Sequence, residues 1–323
     1  MADYLLRRFV QALFTLFVIS IIIFALISSV PGGIMAAYEE NPDMTQADRE
    51  RIEAKYGLNK SVPERYLIWL GNLAKGDWGN SFVSKRPAIQ EIADRLPNTL
   101  ILMGVAFVVT LLIAIPLGVY SALRQYSFFD HVMTTIALAG QSLPVFWFGL
   151  LLIILFSVLL KQPNGAPLLP SSGMYTPGVE RTFADLVRHL VLPVTMLALV
   201  SAAGYMRYMR SSMLEVIHQD YVRTARGKGL PEKTVIFRHA LRNALIPIAT
   251  LIGLDLPSLF GGALFTETIF AWPGIGRLYF DAALKTDYPV IMAVLMIFAA
   301  LIILSMLLVD VVYTFLDPRI SLS

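Results

Sequence analysis

The residues best suited to do chemistry crowd into one stretch, Asp220-Tyr221-Val222-Arg223-Thr224-Ala225-Arg226-Gly227-Lys228-Gly229-Leu230-Pro231-Glu232-Lys233-Thr234. Paired glycines around a lysine invite comparison with a phosphate cradle. The run Arg226-Gly227-Lys228-Gly229 lacks the G-x-x-x-x-G-K-[ST] spacing, however, so no nucleotide site is encoded there. Residues 220–226 suit a helix, Gly227 and Gly229 can end it, and Pro231 with Glu232 can start another. The expected product is a helix-turn-helix knob, a rigid lever that a soluble motor could grip. A basic loop resting on lipid headgroups would explain the charge, but not the closely spaced Gly and Pro at helix boundaries.

A second candidate set lies in apolar surroundings. Asp255 interrupts a long apolar run, where a carboxylate is costly and faces either a water-filled path or a partner helix. In a substrate path it could attract an amino terminus or a cationic side chain; otherwise it holds the bundle together. Gln141, Ser142 and Pro144 break another apolar run, which fits either a hinge on a pore-lining face or polar helix packing. The four histidines, His131, His189, His218 and His239, lie far apart with no H-E-x-x-H spacing, and interfacial loop positions are the default for each. Met206, Met209 and Met213 recur at roughly helical spacing and read as packing, not as metal ligands. No catalytic residue and no metal site is expected: there is no cysteine, no G-x-S-x-G elbow and no paired-histidine motif.

The elements that must position these residues follow from composition. Of 323 residues 56% are hydrophobic and 15% charged, the balance of a chain that lives in lipid. Without cysteine no disulfide-stapled module can form. A bilayer core of roughly 30 Å needs about 20 apolar residues in a helix. Six stretches qualify, at residues 9–30, 99–123, 133–160, 190–206, 244–265 and 290–309. The expected fold is therefore an all-α integral membrane protein with six transmembrane helices. Arg7, Arg8, Arg124 and the basic run from Arg207 to Arg242 fall on one side, which the positive-inside rule makes cytoplasmic and which then holds both termini. The first span follows two arginines like a signal peptide, but its uncharged length and the ending Val30-Pro31-Gly32-Gly33 favour a retained helix.

Three segments follow: residues 1–37 with the first span, an external helical segment at 38–97, and a five-helix core at 98–323 with the cytoplasmic loop at 207–242. In the external segment Thr45 with Asp48 forms a capping box for a helix stopping near Gly57, and Pro63 suits the first turn of a second. Trp69, Trp78 and Phe82 are expected at the membrane interface. The segment reads equally as a partner-docking lid or as a seal for the outer rim.

The coupling run, preceded by Ser212-Met213-Leu214-Glu215-Val216, resembles that of the inner-membrane permease subunits of ATP-binding-cassette (ABC) importers for dipeptides, oligopeptides and nickel. The family's coupling glycine matches Gly229. The resemblance extends to Arg238-His239-Ala240-Leu241-Arg242-Asn243-Ala244, Glu267-Thr268-Ile269-Phe270, Trp272-Pro273-Gly274-Ile275-Gly276-Arg277, Asp287-Tyr288-Pro289 and Leu316-Asp317-Pro318-Arg319, and so covers nearly the whole chain. The aspartate expected after the first glycine is missing from Pro31-Gly32-Gly33-Ile34, and Asp255 stands where related chains tend to be neutral. Arg242 replaces the proline of the broader importer motif, as is usual in the peptide branch.

The resemblance implies a type I ABC importer permease in the inner membrane of a prokaryote. Its partners would be a second homologous permease, two ABC ATPase subunits and an external solute-binding protein, besides lipid and without nucleic acid. ATP and magnesium would sit on the ATPases, leaving this chain without a cofactor or enzymatic activity. Tyr221, Arg223, Thr224, Ala225, Arg226, Gly227, Lys228, Gly229, Leu230 and Pro231 would then transmit ATPase motion, while Gln141, Ser142, Pro144 and Asp255 are candidates for the translocation path. Peptide, nickel complex and glutathione remain as cargoes. An ion-gradient-driven secondary transporter is the alternative, although it usually shows two similar halves and no convincing repeat is visible.

Overall fold

Backbone amides in hydrocarbon must find partners inside their own segment, which forces long apolar runs into helices. The computed structural model describes residues 2–30, 59–259 and 263–316, with side chains for 6–30, 59–259 and 263–309. Among these residues the ordered structure is helical, and β pairing is limited to isolated bridges between Asn80 and Pro87 and between Lys161 and Pro167. In chain order the helices are α1 (Ala2–Ser28), α2 (Val62–Ala74), α3 (Ala88–Leu123), α4 (Phe128–Ser142), α5 (Val145–Ile153) and α6 (Phe183–Ile217). They continue as α7 (Asp220–Gly227), α8 (Glu232–Thr234), α9 (Leu241–Asp255), α10 (Leu264–Ile269), α11 (Ile275–Leu284) and α12 (Tyr288–Leu316). Five stretches are long and apolar enough to cross a membrane: Leu6–Ser28, Ala88–Leu123, Phe183–Ile217, Glu232–Leu259 and Tyr288–Val309. The third expected span, 133–160, corresponds to α4 with α5 and the π-helical turn Ile154–Leu159 that continues it, a pair of apolar helices bent by 103° at their junction.

That bend is sharper than the local loosening expected of Pro144. Pro144 precedes the first residue of α5, and Leu143 before it is extended at φ −78°, ψ 134°. A residue before proline is driven out of the α region, so the break falls there and two helices result instead of one kinked helix.

The chain divides into two compact units, residues 1–97 with 274–323 and residues 98–273. In the first, Ala88 and Ile92 of α3 pack with Ile275 and Leu278 of α11 and Val290 and Val294 of α12. Phe82, expected at the membrane interface, is buried in this same cluster. Asp287 explains why: its Oδ1 accepts the Phe82 N–H at 2.9 Å and its Oδ2 accepts the Ser81 hydroxyl at 2.5 Å, which pins the loop before α3 against the start of α12. Pro63 does stand in the first turn of α2, where Glu64 accepts the Ser61 backbone N–H at 3.0 Å. Trp69 is half-buried, its ring 5.6 Å from Phe24 and 6.1 Å from Tyr66. The Thr45–Asp48 capping box with the stop at Gly57, the Pro31–Ile34 motif and Asp317-Pro318-Arg319 lie outside the described residues.

In the second unit α3 and α6 approach so closely that a Cβ on Gly118 would stand 2.7 Å from the Met206 carbonyl oxygen. Only a small residue permits that contact, the usual device for packing helices in lipid. Where α4 begins, Asp130 is buried and receives a two-point ion pair from Arg210, Nε to Oδ1 at 2.6 Å and Nη2 to Oδ2 at 2.7 Å. Ser121 and the Tyr126 N–H also donate to it.

This pair accounts for the main departure in helix length. The fourth span was expected to stop at 206, with Arg207 and Arg210 starting a loop, yet α6 runs on to Ile217. Arg210 has its counter-charge on Asp130 and need not leave the helix to be solvated. The fifth span ends earlier than the expected 265: α9 stops at Asp255 and passes into a 3₁₀ turn, Leu256–Leu259, that contains Pro257.

Removing one partner of a buried ion pair leaves the other charge uncompensated. Asp130→Ala should therefore cost about 3 kcal/mol, and adding Arg210→Met should return part of that loss. Unfolding of the two variants in detergent, followed by circular dichroism, measures both.

Candidate functional site

The knob predicted at residues 220–234 is present. α7 turns two apolar residues inward: Val222 is 0% exposed and Ala225 is buried, in one cluster with Met209 and Met213 of α6 and Val235 beyond the turn. The three methionines Met206, Met209 and Met213 thus serve packing, as expected. Tyr221, Arg223, Thr224, Arg226, Gly227, Lys228, Leu230 and Pro231 are all exposed. Of the ten residues expected to transmit ATPase motion, Ala225 is the one turned inward, where it packs α7 against its neighbours.

The turn after α7 has a defined hydrogen-bond pattern. The Gly229 N–H reaches the Arg226 carbonyl at 2.9 Å, and the Leu230 N–H reaches the Ala225 carbonyl at 3.4 Å. Together these bonds make a Schellman cap, with Gly229 in the left-handed region at φ +72°. Gly227, read as a possible helix end, is the last residue of α7, and Gly229 completes the cap. Pro231 precedes α8, whose Glu232 accepts from Arg226 Nη2 at 2.8 Å and closes the elbow from outside. That hydrogen bond holds the Arg226 guanidinium above its ordinary pKa. Both partners are substantially exposed, so the pair fixes geometry more than it adds stability.

The chain then enters a π-helical turn, Val235–Ala240, which nothing in the sequence indicated, before continuing as α9. Ser212 Oγ donates to the Ala244 carbonyl at 2.8 Å, tying α6 to α9 on the far side of the elbow. α7 is thus fastened through its apolar face to two membrane helices while its polar face is free.

The second candidate set meets on α6. Gln141 Nε2 lies 3.5 Å from the Cβ position of Gly204, and Asp255 Oδ2 accepts the hydroxyl of the adjacent Tyr205 at 2.5 Å. Gln141 at the end of α4 and Asp255 at the end of α9 therefore sit at one level of α6. Asp255 is exposed and stands at a helix end, not in mid-span as expected. Ser142 satisfies itself by donating to the Leu138 carbonyl at 2.9 Å, and Pro144 marks the α4–α5 break.

Several polar anchors escaped sequence reasoning. Besides Asp130 with Arg210, Glu267 is 0% exposed and accepts the Thr99 hydroxyl at 2.7 Å. Nearby, Trp272 Nε1 donates to the Asn98 carbonyl and Asn98 Nδ2 to the Pro273 carbonyl, each at 2.9 Å. The signal was present as the strings Glu267-Thr268-Ile269-Phe270 and Trp272-Pro273, but without a partner assigned. His189, expected in an interfacial loop, is buried inside α6, its Nδ1 2.9 Å from the Asp185 carbonyl oxygen. His131 and His239 are also in helical segments, and His218 caps the C-terminus of α6.

Comparison with known proteins bears on the same elements. Residues 114–322 match the family described as binding-protein-dependent transport system inner membrane component, and residues 1–103 match the N-terminal model of such membrane components. The chain is 45% identical to an oligopeptide transport system permease protein of Bacillus subtilis, over 99% of this chain and 100% of that one. It is 39% identical to a di/tripeptide transport system permease protein of Pseudomonas aeruginosa and 37% identical to a dipeptide transport system permease protein of Escherichia coli, over 99% of each chain in both cases. A helical elbow seated between membrane spans and a match that runs the length of the chain agree: this protein belongs to the binding-protein-dependent transport system inner membrane components.

Proposed function

We propose that the chain forms half of a translocation path for short peptides and is driven by ATP that separate ABC subunits hydrolyse. The observation that carries this reading is α7, a short helix gripped from within by buried apolar residues and open to a partner on its polar side. A partner that moves α7 must move α6 and α9 with it, because Val222, Met209, Met213 and Val235 share one packed cluster. The peptide cargo rests on the relatives, which carry that substrate in their descriptions and match end to end. A second permease subunit, two ATPases and an external solute-binding protein complete the assembly. Both termini and α7 lie on the cytoplasmic side, as the run of Lys and Arg between α6 and α9 requires. The chain itself carries no cofactor, and ATP with magnesium belongs to the motor subunits.

In this account Gln141 and Asp255 line the path at the level of Gly204 and Tyr205. Tyr205 orients the carboxylate through Oδ2, and the exposed face of Asp255 meets the cationic side chain of a passing peptide.

The elbow is tested at its turn. Gly229→Val places a β-branched residue at φ +72°, which costs about 1–2 kcal/mol and should open the cap. Reconstituted with its partners, that variant should lose ATP-driven peptide uptake, whereas Gly229→Asn, which tolerates the conformation, should retain most of it. Equal uptake by both variants contradicts a coupling role. For the path, Asp255→Asn should reduce uptake of a lysine-containing tripeptide about fivefold relative to tri-alanine, as expected for one exposed charge pair worth roughly 1 kcal/mol. Competition between the two labelled peptides in proteoliposomes reads that ratio, and an equal loss for both excludes a charge-reading Asp255.

A further inference from the structure

The first unit contains a cavity of about 300 Å³ between the end of α1, α2, the loop at residues 77–80 and the start of α12. Its volume reaches the lower range of small-molecule sites. Two buried side-chain atoms without a hydrogen-bond partner belong to residues that line it: Arg65 Nε on α2 and Tyr288 Oη on α12. Tyr288 is 3% exposed. An unsatisfied buried donor costs free energy, and finding two on one cavity is unusual unless something accepts from them there. Arg65 Nε can only donate and the Tyr288 hydroxyl can donate beside it, so one group that satisfies both is an acceptor of anionic character, for which a phosphate is the usual match.

The remaining wall adds an opposite requirement. The Asp77 carboxylate uses Oδ1 to accept the Gly79 N–H at 2.9 Å and contributes a negative charge, while Trp69 and Trp78 supply aromatic rings. Carboxylate and indole together suit an ammonium group. The apolar side is formed by Phe24 and Ile27 of α1 and Met292 of α12, at the ends of two spans. Below it α1 exposes Phe14, Phe17 and Ile21, a surface suited to acyl chains. Trp69, Tyr66 and Phe24 cluster at this end as aromatic belts do at headgroup level.

We infer that this cavity is a binding site for a zwitterionic phospholipid headgroup, with the phosphate on Arg65 and Tyr288 and the ammonium at Asp77 beside Trp69 and Trp78. A free peptide shares the pairing of one anion with one cation but has no use for the apolar wall leading down α1, so the lipid is the favoured source of that chemistry. Headgroup pockets between spans are a known physical type. Here the lipid would staple α1 and α2 to α12.

The test titrates the delipidated full-length chain in detergent with phosphatidylethanolamine, phosphatidylglycerol, inorganic phosphate or tri-alanine, and reads adducts by native mass spectrometry. Phosphatidylethanolamine should bind. Arg65→Gln and Tyr288→Phe should each weaken it about tenfold, and Asp77→Asn should shift preference towards phosphatidylglycerol. Tyr288→Phe keeps the ring and removes only the unpartnered hydroxyl, so its lipid-free melting temperature should stay at or above that of the parent chain. The inference is overturned if phosphatidylethanolamine fails to bind or binds all variants equally. It is also overturned if tri-alanine or phosphate alone shows the same dependence on Arg65 and Tyr288, or if Tyr288→Phe lowers the lipid-free melting temperature and leaves lipid binding unchanged.

Discussion

In the proposed coupling, every mechanical step depends on the burial of one face of α7. Val222 and Ala225 enter a cluster that also holds the end of α6 and the approach to α9, and the Schellman cap at Gly229 with the Arg226–Glu232 pair stops the elbow from unwinding. A loop of the same charge without that buried face would yield to a push and transmit nothing. Packed interiors are stiff, so a seated helix passes displacement to whatever it is packed against. The pairing of Asp130 with Arg210 extends this stiffness to α4, and the Ser212–Ala244 contact ties in α9.

The chain also shows how carboxylates are kept where burial penalises them. Asp130 takes a guanidinium, a hydroxyl and a backbone N–H; Asp287 takes backbone N–H groups and a hydroxyl; Glu267 takes a hydroxyl. Each sits at a helix start or in a short linking element, where such groups converge. Asp255 differs, being exposed and held by one tyrosine, which leaves its charge available to a ligand. The fully partnered carboxylates hold structure, and the proposed path uses the one that is only half-partnered.

Sequence reasoning reached the apolar spans and the elbow because both are written in local signals: apolar length for the first, and Gly227, Gly229 and Pro231 for the second. Met206, Met209 and Met213 were legible as packing for the same reason. It stopped α6 too early because Arg207 and Arg210 look like the edge of a membrane, and the residue that retains Arg210 lies eighty positions earlier. Apolar residues beyond Asp255 hid the end of α9, since Pro257 initiates a 3₁₀ turn without altering the apolar pattern. Pro144 was seen as a weak point, but composition does not fix the angle at which two helix halves leave it. Phe82 and His189 were misplaced because their burial depends on partners distant in sequence or on the depth of a helix face. The anchors at Glu267 and Asp287 could be recognised as motifs, although their donors could not be named without the fold.

The chain has no cysteine, so a single thiol can report position without background. Cysteine placed at Leu230 on the exposed turn, and separately at Val222 on the buried face, should be tested for crosslinking to the ATPase subunits of the assembled transporter with a short bifunctional reagent. The account predicts a crosslink from position 230 whose yield changes when ATP is added, and none from position 222. Failure of position 230 to reach an ATPase in any nucleotide state, in a complex that still imports peptide, would contradict it.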